Sequence, residues 1–382
     1  MKIVHICPNG MTDGLNYQEN VLSKYHRKLG YEVSVITTQW IWNASGKIEK
    51  TEKTDYINSD DIKVIRLPMK WGNYSNKLKT FPGLYKAVER ETPDILFIHN
   101  CQFLDICTLA KYAKRHPNVK VYVDNHVDYS NGAHGWLSKN ILHKCLWRYC
   151  VGRIEPYTTK FYGVLPARVD FLKELYKLPP EKCELLVMGA DDELVEAAAK
   201  PDVREQLRKE YNIRNDDFLV ITGGKIDAYK TQTLLLMEAV HKIDNDKLRL
   251  IVFGSVIDEL KDRVMELADG KKVQYIGWIN ANDSYRYFAA ADLVVFPGRH
   301  SVFWEQVTAQ GIPMLCKEWA GTRHVDVGGN VRFLKEDSTE LIQREIQRLI
   351  DHPEEYQKMK AAAVENGMKQ FSYRDIAERS IT

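Results

Sequence analysis

A chain of 382 residues, 44% hydrophobic and 28% charged, has the make-up of a globular protein with room for two domains, each with its own core. Its formal net charge of +2 hides an asymmetry: the first 177 residues carry 26 Lys/Arg against 17 Asp/Glu and the rest 28 against 35, so the two halves are expected to meet different partners. No apolar run approaches the ~18 residues of a membrane span, and the opening MKIVHICPNG reads as a strand rather than a leader. The seven cysteines are scattered without a CxxC pair. That pattern argues for a reducing cytoplasm and against a disulfide framework or a zinc site.

In chain order, apolar runs predict strands at 2–7, 32–37, 63–67, 94–99, 120–126, 161–165 and 183–188. A second series follows at 218–224, 248–254, 273–277, 292–297 and 312–317. Several are continuous, as in parallel strands covered on both faces. Helical periodicity fills the gaps, at about 15–29, 103–115, 166–177, 231–243, 257–269, 282–291, 303–310 and 338–351. Strands alternating with helices predict doubly wound α/β sheets. The pattern pauses at 43–61, a polar loop or hairpin, and at 190–217, a charged stretch with a proline that reads as a bridge between domains. The expected domains are 1–188 and 189–382, with the last helix returning to the first. Two such sheets facing across a cleft would bind ligands at the carboxyl ends of their strands.

Chemistry-bearing residues gather at predicted strand ends. PDILFIHN ends in His99, and VYVDNHVDY carries Asp124, His126 and Asp128, any of which could move a proton. ITGGKIDAYKT couples a glycine pair to Lys225 and Lys230 ahead of a helix. This is a seat for a diphosphate if the lysines are more than solvated loop charges. It is not a Walker A loop, and no GxGxxG follows the first strand. PGRHSVFWEQVTAQG places one carboxylate, Glu305, in an apolar setting, either as a helix N-terminal charge or as a group needing a partner. His300 there is either a capping residue or a ligand contact. Two stretches, 69–81 and 135–162, interleave aromatic and basic residues, including Trp136, Trp147 and Tyr149 with Lys139, Lys144, Arg148 and Arg153. They fit an interfacial surface on anionic lipid; alternatively Ile141, Leu142, Cys145, Leu146 and Tyr149 form a stripe that packs on the sheet. No nucleic-acid recognition motif is present.

The order Gly224-Lys225, Lys230-Thr231, Gly254, Tyr275-Ile276-Gly277 and Pro297 through Pro313 resembles the C-terminal domain of the GT-B, nucleotide-sugar-dependent retaining glycosyltransferases of family four, the group 1 type. The resemblance spans nearly the whole chain. It implies a GT-B fold of two Rossmann-like domains, acceptor on the first and nucleotide-sugar on the second. Lys225 takes the place of the family's arginine and Lys230 of its lysine, both on the donor diphosphate. Glu305 resembles the second glutamate of the family's pair, which binds ribose. Gly14, Gly224, Gly254, Gly277, Trp278, His300 and Ser301 complete the implied donor site, with His126 by the reacting sugar and His99 and Asp128 toward the acceptor. The first glutamate is lost: Pro297 stands in its place, and His300 is the expected substitute.

The resulting expectation is transfer of a sugar to a hydroxyl of a glycan or lipid-linked acceptor, with retention, in cell-surface polysaccharide biosynthesis. No metal and no cofactor beyond the nucleotide-sugar are expected. The expected location is cytoplasmic, with peripheral contact at the inner face of the plasma membrane. A non-catalytic nucleotide-sugar-binding protein and a nucleotide-sugar epimerase of the same fold are the alternatives.

Overall fold

The computed structural model describes residues 1–43, 47–70, 78–133, 135–228 and 230–382. The chain forms two units: Met1–Val187 with Tyr373–Thr382, and Met188–Ser372.

The first unit contains β1 (Lys2–Cys7), β2 (Glu32–Thr38), β3 (Trp40–Trp42), β4 (Ile48–Lys50), β5 (Asp55–Ile57), β6 (Lys63–Leu67), β7 (Ile95–Ile98), β8 (Lys120–Asn125), β9 (Thr158–Gly163) and β10 (Cys183–Leu185). Eight of them form one sheet in the order β10-β9-β8-β7-β1-β2-β6-β5. Every pair in it is parallel except β5 with β6. β1 and β7 are buried along almost their whole length, because helices cover both faces of a parallel sheet. The last ten residues close this unit: the Tyr122 hydroxyl donates to the Ile381 carbonyl at 2.8 Å.

The second unit contains β11 (Phe218–Gly223), β12 (Leu248–Phe253), β13 (Val273–Tyr275), β14 (Leu293–Phe296), β15 (Met314–Lys317) and β16 (Val331–Leu334). Their order is β13-β12-β11-β14-β15-β16, parallel throughout. In each sheet the strand order reverses once, between β1 and β7 and between β11 and β14. Such a switch point opens a crevice at the carboxyl ends of its two strands. His99 follows β7, Gly224 follows β11 and Gly298 follows β14, so each lies at a switch point.

The hairpin alternative for 43–61 holds: the segment supplies β4, which pairs with β3 just before it, and the edge strand β5; residues 44–46 lie outside the described set. Another reading changes. The supposed bridge 190–217 is instead two helices of the second unit, Asp192–Ala198 and Pro201–Glu210. Asp191 caps the first by accepting from the Glu193 N–H. Arg204 and Arg208 of the second grip Asp292 at 2.6 and 3.3 Å. The charges that suggested a solvated linker are therefore tertiary anchors.

Candidate functional site

The second unit gathers its predicted residues along the carboxyl edge of its sheet. Gly224 and Gly254 adopt φ of +127° and +128°, where a side chain is strained. A Cβ on Gly254 would lie 1.9 Å from the Gly224 carbonyl oxygen. The Gly254 N–H donates to Gly277 at 2.7 Å, so three predicted glycines stack as one backbone wall. Lys230 reaches that wall: its Nζ is 3.9 Å from the point where a Gly224 Cβ would stand. Burial lowers the Lys230 pKa, and the neighbouring positive charges of Arg299 and Lys225 lower it further, against Asp227. Three cations thus share one small region with the carboxylate of Asp227, an excess of positive charge that suits an anionic ligand. Lys225 is mostly exposed and 3.8 Å from Asp227. Trp278 is 65% exposed beside Gly277.

Glu305, on the helix Phe303–Ala309, is fully buried. It is not alone. His300 Nε2 and His324 Nε2 meet the same oxygen, Oε1, at 2.9 and 2.8 Å. Burial alone would raise the carboxyl pKa; the two imidazoles outweigh it and hold the group down at about 2. Oε2 is buried without a partner, as are Trp304 Nε1, Gln306 Oε1 and His324 Nδ1. Buried polar atoms are normally paired, so this cluster has unused capacity for a polar ligand. His300 therefore differs from expectation: its Nε2 is spent on Glu305, which makes it a support for the surviving glutamate more than a free substitute for the lost one. Ser301 lies in the turn that opens the helix, its carbonyl accepting from the Trp304 N–H.

In the first unit, Asp124 is fully buried and bridges two predicted histidines. Its Oδ2 meets His99 Nδ1 at 2.7 Å and its Oδ1 meets His126 Nε2 at 3.3 Å. His126 keeps 24% of its side chain exposed. His99 and Asp128, expected to meet the acceptor, are used inside the fold instead. His99 is 3% exposed, with Nε2 on His5 at 2.9 Å. Asp128 accepts from Ser130 N and Arg168 Nε at 2.7 and 3.4 Å. Gly14 sits at φ +78° with open space around it, so it shapes a turn. Both triads, His99–Asp124–His126 and His300–Glu305–His324, bring nitrogen and carboxylate ligand atoms within 4.8 Å of one another, the donor types a metal ion takes. The Glu305 distances are those of direct hydrogen bonds; ligands on one tetrahedral zinc stand about 3.3 Å apart.

The aromatic–basic stretch splits in two. Trp147 is 2% exposed and anchors the core, whereas Trp136, Leu137, Ile141 and Tyr149 are all more than half exposed. Residues 71–77 of the other stretch lie outside the described set. Sequence reasoning left four residues at these sites unassigned: His324, Arg299, His5 and His26. Arg299 stood next to Gly298 in the loop already singled out, which was the available signal. For His324, nineteen positions beyond Glu305, no spacing gave one.

Residues 203–366 match the family described as "Glycosyl transferases group 1". The matched stretch begins in the helix Pro201–Glu210 and ends within the helix Pro353–Phe371, so it takes in Lys225, Lys230 and the Glu305 triad. An uncharacterised glycosyltransferase of Methanocaldococcus jannaschii is 24% identical over 168 residues, 43% of this chain and 41% of that one. An N-acetylgalactosamine-N,N'-diacetylbacillosaminyl-diphospho-undecaprenol 4-alpha-N-acetylgalactosaminyltransferase of Campylobacter jejuni is 22% identical over 193 residues, 49% of each. The chain spans less than half the length of the curated relatives it matches. Anabaena HepE, solved in complex with UDP, superposes with a TM-score of 0.70 at 14% identity, covering 99% of this chain and 98% of that one. The fold is GT-B, two Rossmann-like units in one chain.

Proposed function

We propose that this protein transfers a sugar from a nucleotide-sugar to an acceptor hydroxyl with retention at the anomeric carbon. The observation that carries the reading is Lys230 beside the Gly224–Gly254 backbone wall, with Lys225 and Arg299 near enough to lower its pKa, in a stretch that matches the group 1 family. A nucleoside diphosphate fits there: the backbone can approach closely, and the cations offset the charge that grows on the leaving diphosphate as the anomeric C–O bond breaks. The lysines supply charge that a divalent ion supplies in other transferases. Glu305, through its unpaired Oε2, receives ribose hydroxyls. The acceptor hydroxyl bonds to the anomeric carbon as the diphosphate leaves, and passes its proton to His126. Incubating the protein with UDP-, GDP-, ADP- and TDP-sugars and short glycan acceptors should yield a product with the donor's anomeric configuration, read by proton NMR. An inverted product would end the retention claim, and absence of both transfer and slow donor hydrolysis would end the transferase claim.

A lipid-linked acceptor, as in surface polysaccharide assembly, is favoured by one further observation. Trp136, Leu137 and Ile141 project from the turns around a π-helical stretch, Ser138–Trp147, and line an open apolar groove of about 740 Å³ with Leu142 and Leu146. Lys139, Lys144, Arg148 and Arg153 accompany them, with no acidic residue from 129 to 154. Apolar anchors ringed by cations suit an anionic bilayer surface. Among the described residues no helix is long and apolar enough to cross a membrane. The relative from Campylobacter jejuni is named for a diphospho-undecaprenol acceptor. We therefore place the enzyme at the cytoplasmic face of the membrane, its first unit taking the acceptor.

A further inference from the structure

Behind His126 the first unit holds a file of titratable side chains that the proposed reaction does not itself use. His126 Nε2 meets Asp124 Oδ1 at 3.3 Å. Asp124 Oδ2 meets His99 Nδ1 at 2.7 Å, and His99 Nε2 meets His5 Nδ1 at 2.9 Å. His5 Nε2 meets His26 Nδ1 at 3.0 Å. The file ends on the C-terminal helix, where His26 Nε2 lies 3.1 Å from the Ala377 carbonyl and 2.9 Å from Ser380 Oγ. His5, His26 and Asp124 are wholly buried and His99 nearly so. Residues 5, 26, 99, 124 and 377 come from five separate elements or strand ends, so closeness along the chain does not account for the alignment.

A neutral imidazole has one N–H, so it donates from one nitrogen and accepts at the other, and burial keeps His5 and His26 neutral, His26 with its pKa down at about 3. The direction of the file is set at its far end. With the Ser380 hydroxyl donated to the Ala377 carbonyl at 2.9 Å, His26 donates from Nε2 and His5 from Nε2. With the hydroxyl turned to His26 Nε2, also at 2.9 Å, His26 donates from Nδ1, His5 from Nδ1 and His99 from Nδ1 to Asp124. Either way His5 and His26 share one tautomer, because one of the two must donate in the bond between them. Asp124 Oδ1 also accepts from the Asn100 N–H at 2.8 Å.

We propose that His26, His5, His99 and Asp124 form a positioning relay, anchored on Ala377 and Ser380, that turns the His126 Nε2–H inward and leaves His126 Nδ1 open as an acceptor toward a substrate hydroxyl. The relay rests on the reading that His126 serves the acceptor. A carboxylate that takes the Nε2–H leaves Nδ1 as the nitrogen able to accept a proton. Phe97 packs on the file against His5, His26 and His99, and the edge of Tyr31 against His26. The buried thiols of Cys7 and Cys101 lie within electrostatic reach of Asp124, and burial pushes both up, which keeps them neutral.

The test is proton–nitrogen correlation on the full chain labelled with 15N-histidine at about pH 7.5, above the ordinary histidine range. Expected are an Nε2–H tautomer for His126 and one shared tautomer for His5 and His26, both Nε2–H or both Nδ1–H. Opposite tautomers at His5 and His26, or an Nδ1–H tautomer at His126, overturn the relay. Kinetics supply the second arm: His26→Phe, which keeps the volume, should lower kcat on the order of tenfold with donor KM unchanged, as for groups that orient a reacting side chain. His26→Gln serves if the first variant fails to fold. Unchanged kcat in either variant, where His126→Ala abolishes transfer, overturns the relay. If His126→Ala itself leaves transfer intact while the tautomers are as stated, the assignment of His126 fails and the relay's role goes with it.

Discussion

At the scale of single residues, the site depends on groups whose company sets their chemistry. Lys230 sits among like charges and is partly desolvated, which primes it for an anion. Lys230→Ala should cut kcat by roughly 10²–10³, measured by donor turnover, with the far-ultraviolet circular dichroism unchanged. Glu305→Gln removes the charge while keeping the shape, and leaves His300 and His324 facing a neutral amide. Weaker binding of the free nucleoside diphosphate, by on the order of tenfold, is expected in calorimetry, and unaltered binding would remove Glu305 from the donor site. The carboxylate itself was legible in the sequence, because an acid in an apolar helix asks for a partner. Which partners it has was not, since His300 and His324 approach it from opposite sides in sequence and only the fold joins them.

At the scale of elements, the turn after β11 depends on glycine for two separate reasons. Gly254→Ala would place a methyl 1.9 Å from the Gly224 carbonyl at a backbone φ of +128°. It should lower the thermal midpoint, with a strain of about 1–3 kcal/mol, and weaken donor binding more than Gly270→Ala, a control at positive φ in open space. The exposed rim Trp136–Ile141 makes a different prediction. Trp136→Ala with Ile141→Ser should lower co-sedimentation with vesicles containing phosphatidylglycerol and leave transfer to a soluble acceptor unchanged. Strand positions were readable because short, continuous apolar runs bounded by turn residues suit strands covered on both faces. The helices Asp192–Ala198 and Pro201–Glu210 were not, because Arg204 and Arg208 resemble linker charges until Asp292 is seen beside them. β16, VRFL, is short and half polar, and its pairing with β15 is what makes it a strand.

At the scale of the whole molecule, the two units should respond differently to acid. His5 and His26 are neutral in the folded first unit, their pKa values lowered by burial, whereas in an unfolded chain they titrate near about 6.5. The unfolded state therefore binds more protons below about pH 6.5, and stability is lost as pH falls from there toward about 3. The paired carboxylate Glu305 in the second unit behaves otherwise: its folded pKa of about 2 lies below its unfolded value, so its contribution is lost only below about pH 4.5. Hydrogen exchange at about pH 5.5, corrected for intrinsic rate, should show faster opening of 2–7 and 18–28 than at about pH 7.5, with little change in 248–253. Equal changes in both would contradict the account. The alternation that identifies two doubly wound units was plain from the sequence, but the return of residues 373–382 to complete the first unit rests on tertiary bonds such as Tyr122 to Ile381.

The central claim is that the second unit seats a nucleoside diphosphate on the Gly224–Gly254 wall, with Lys230 beside it and Lys225 and Arg299 close by. Titration calorimetry of UDP, GDP, ADP and TDP into the wild-type chain and into Lys230→Ala tests it most directly. Saturable binding of at least one nucleotide, weakened on the order of tenfold or more in the variant, is the predicted result. No binding of any of the four, or equal affinity in the two proteins, would contradict it.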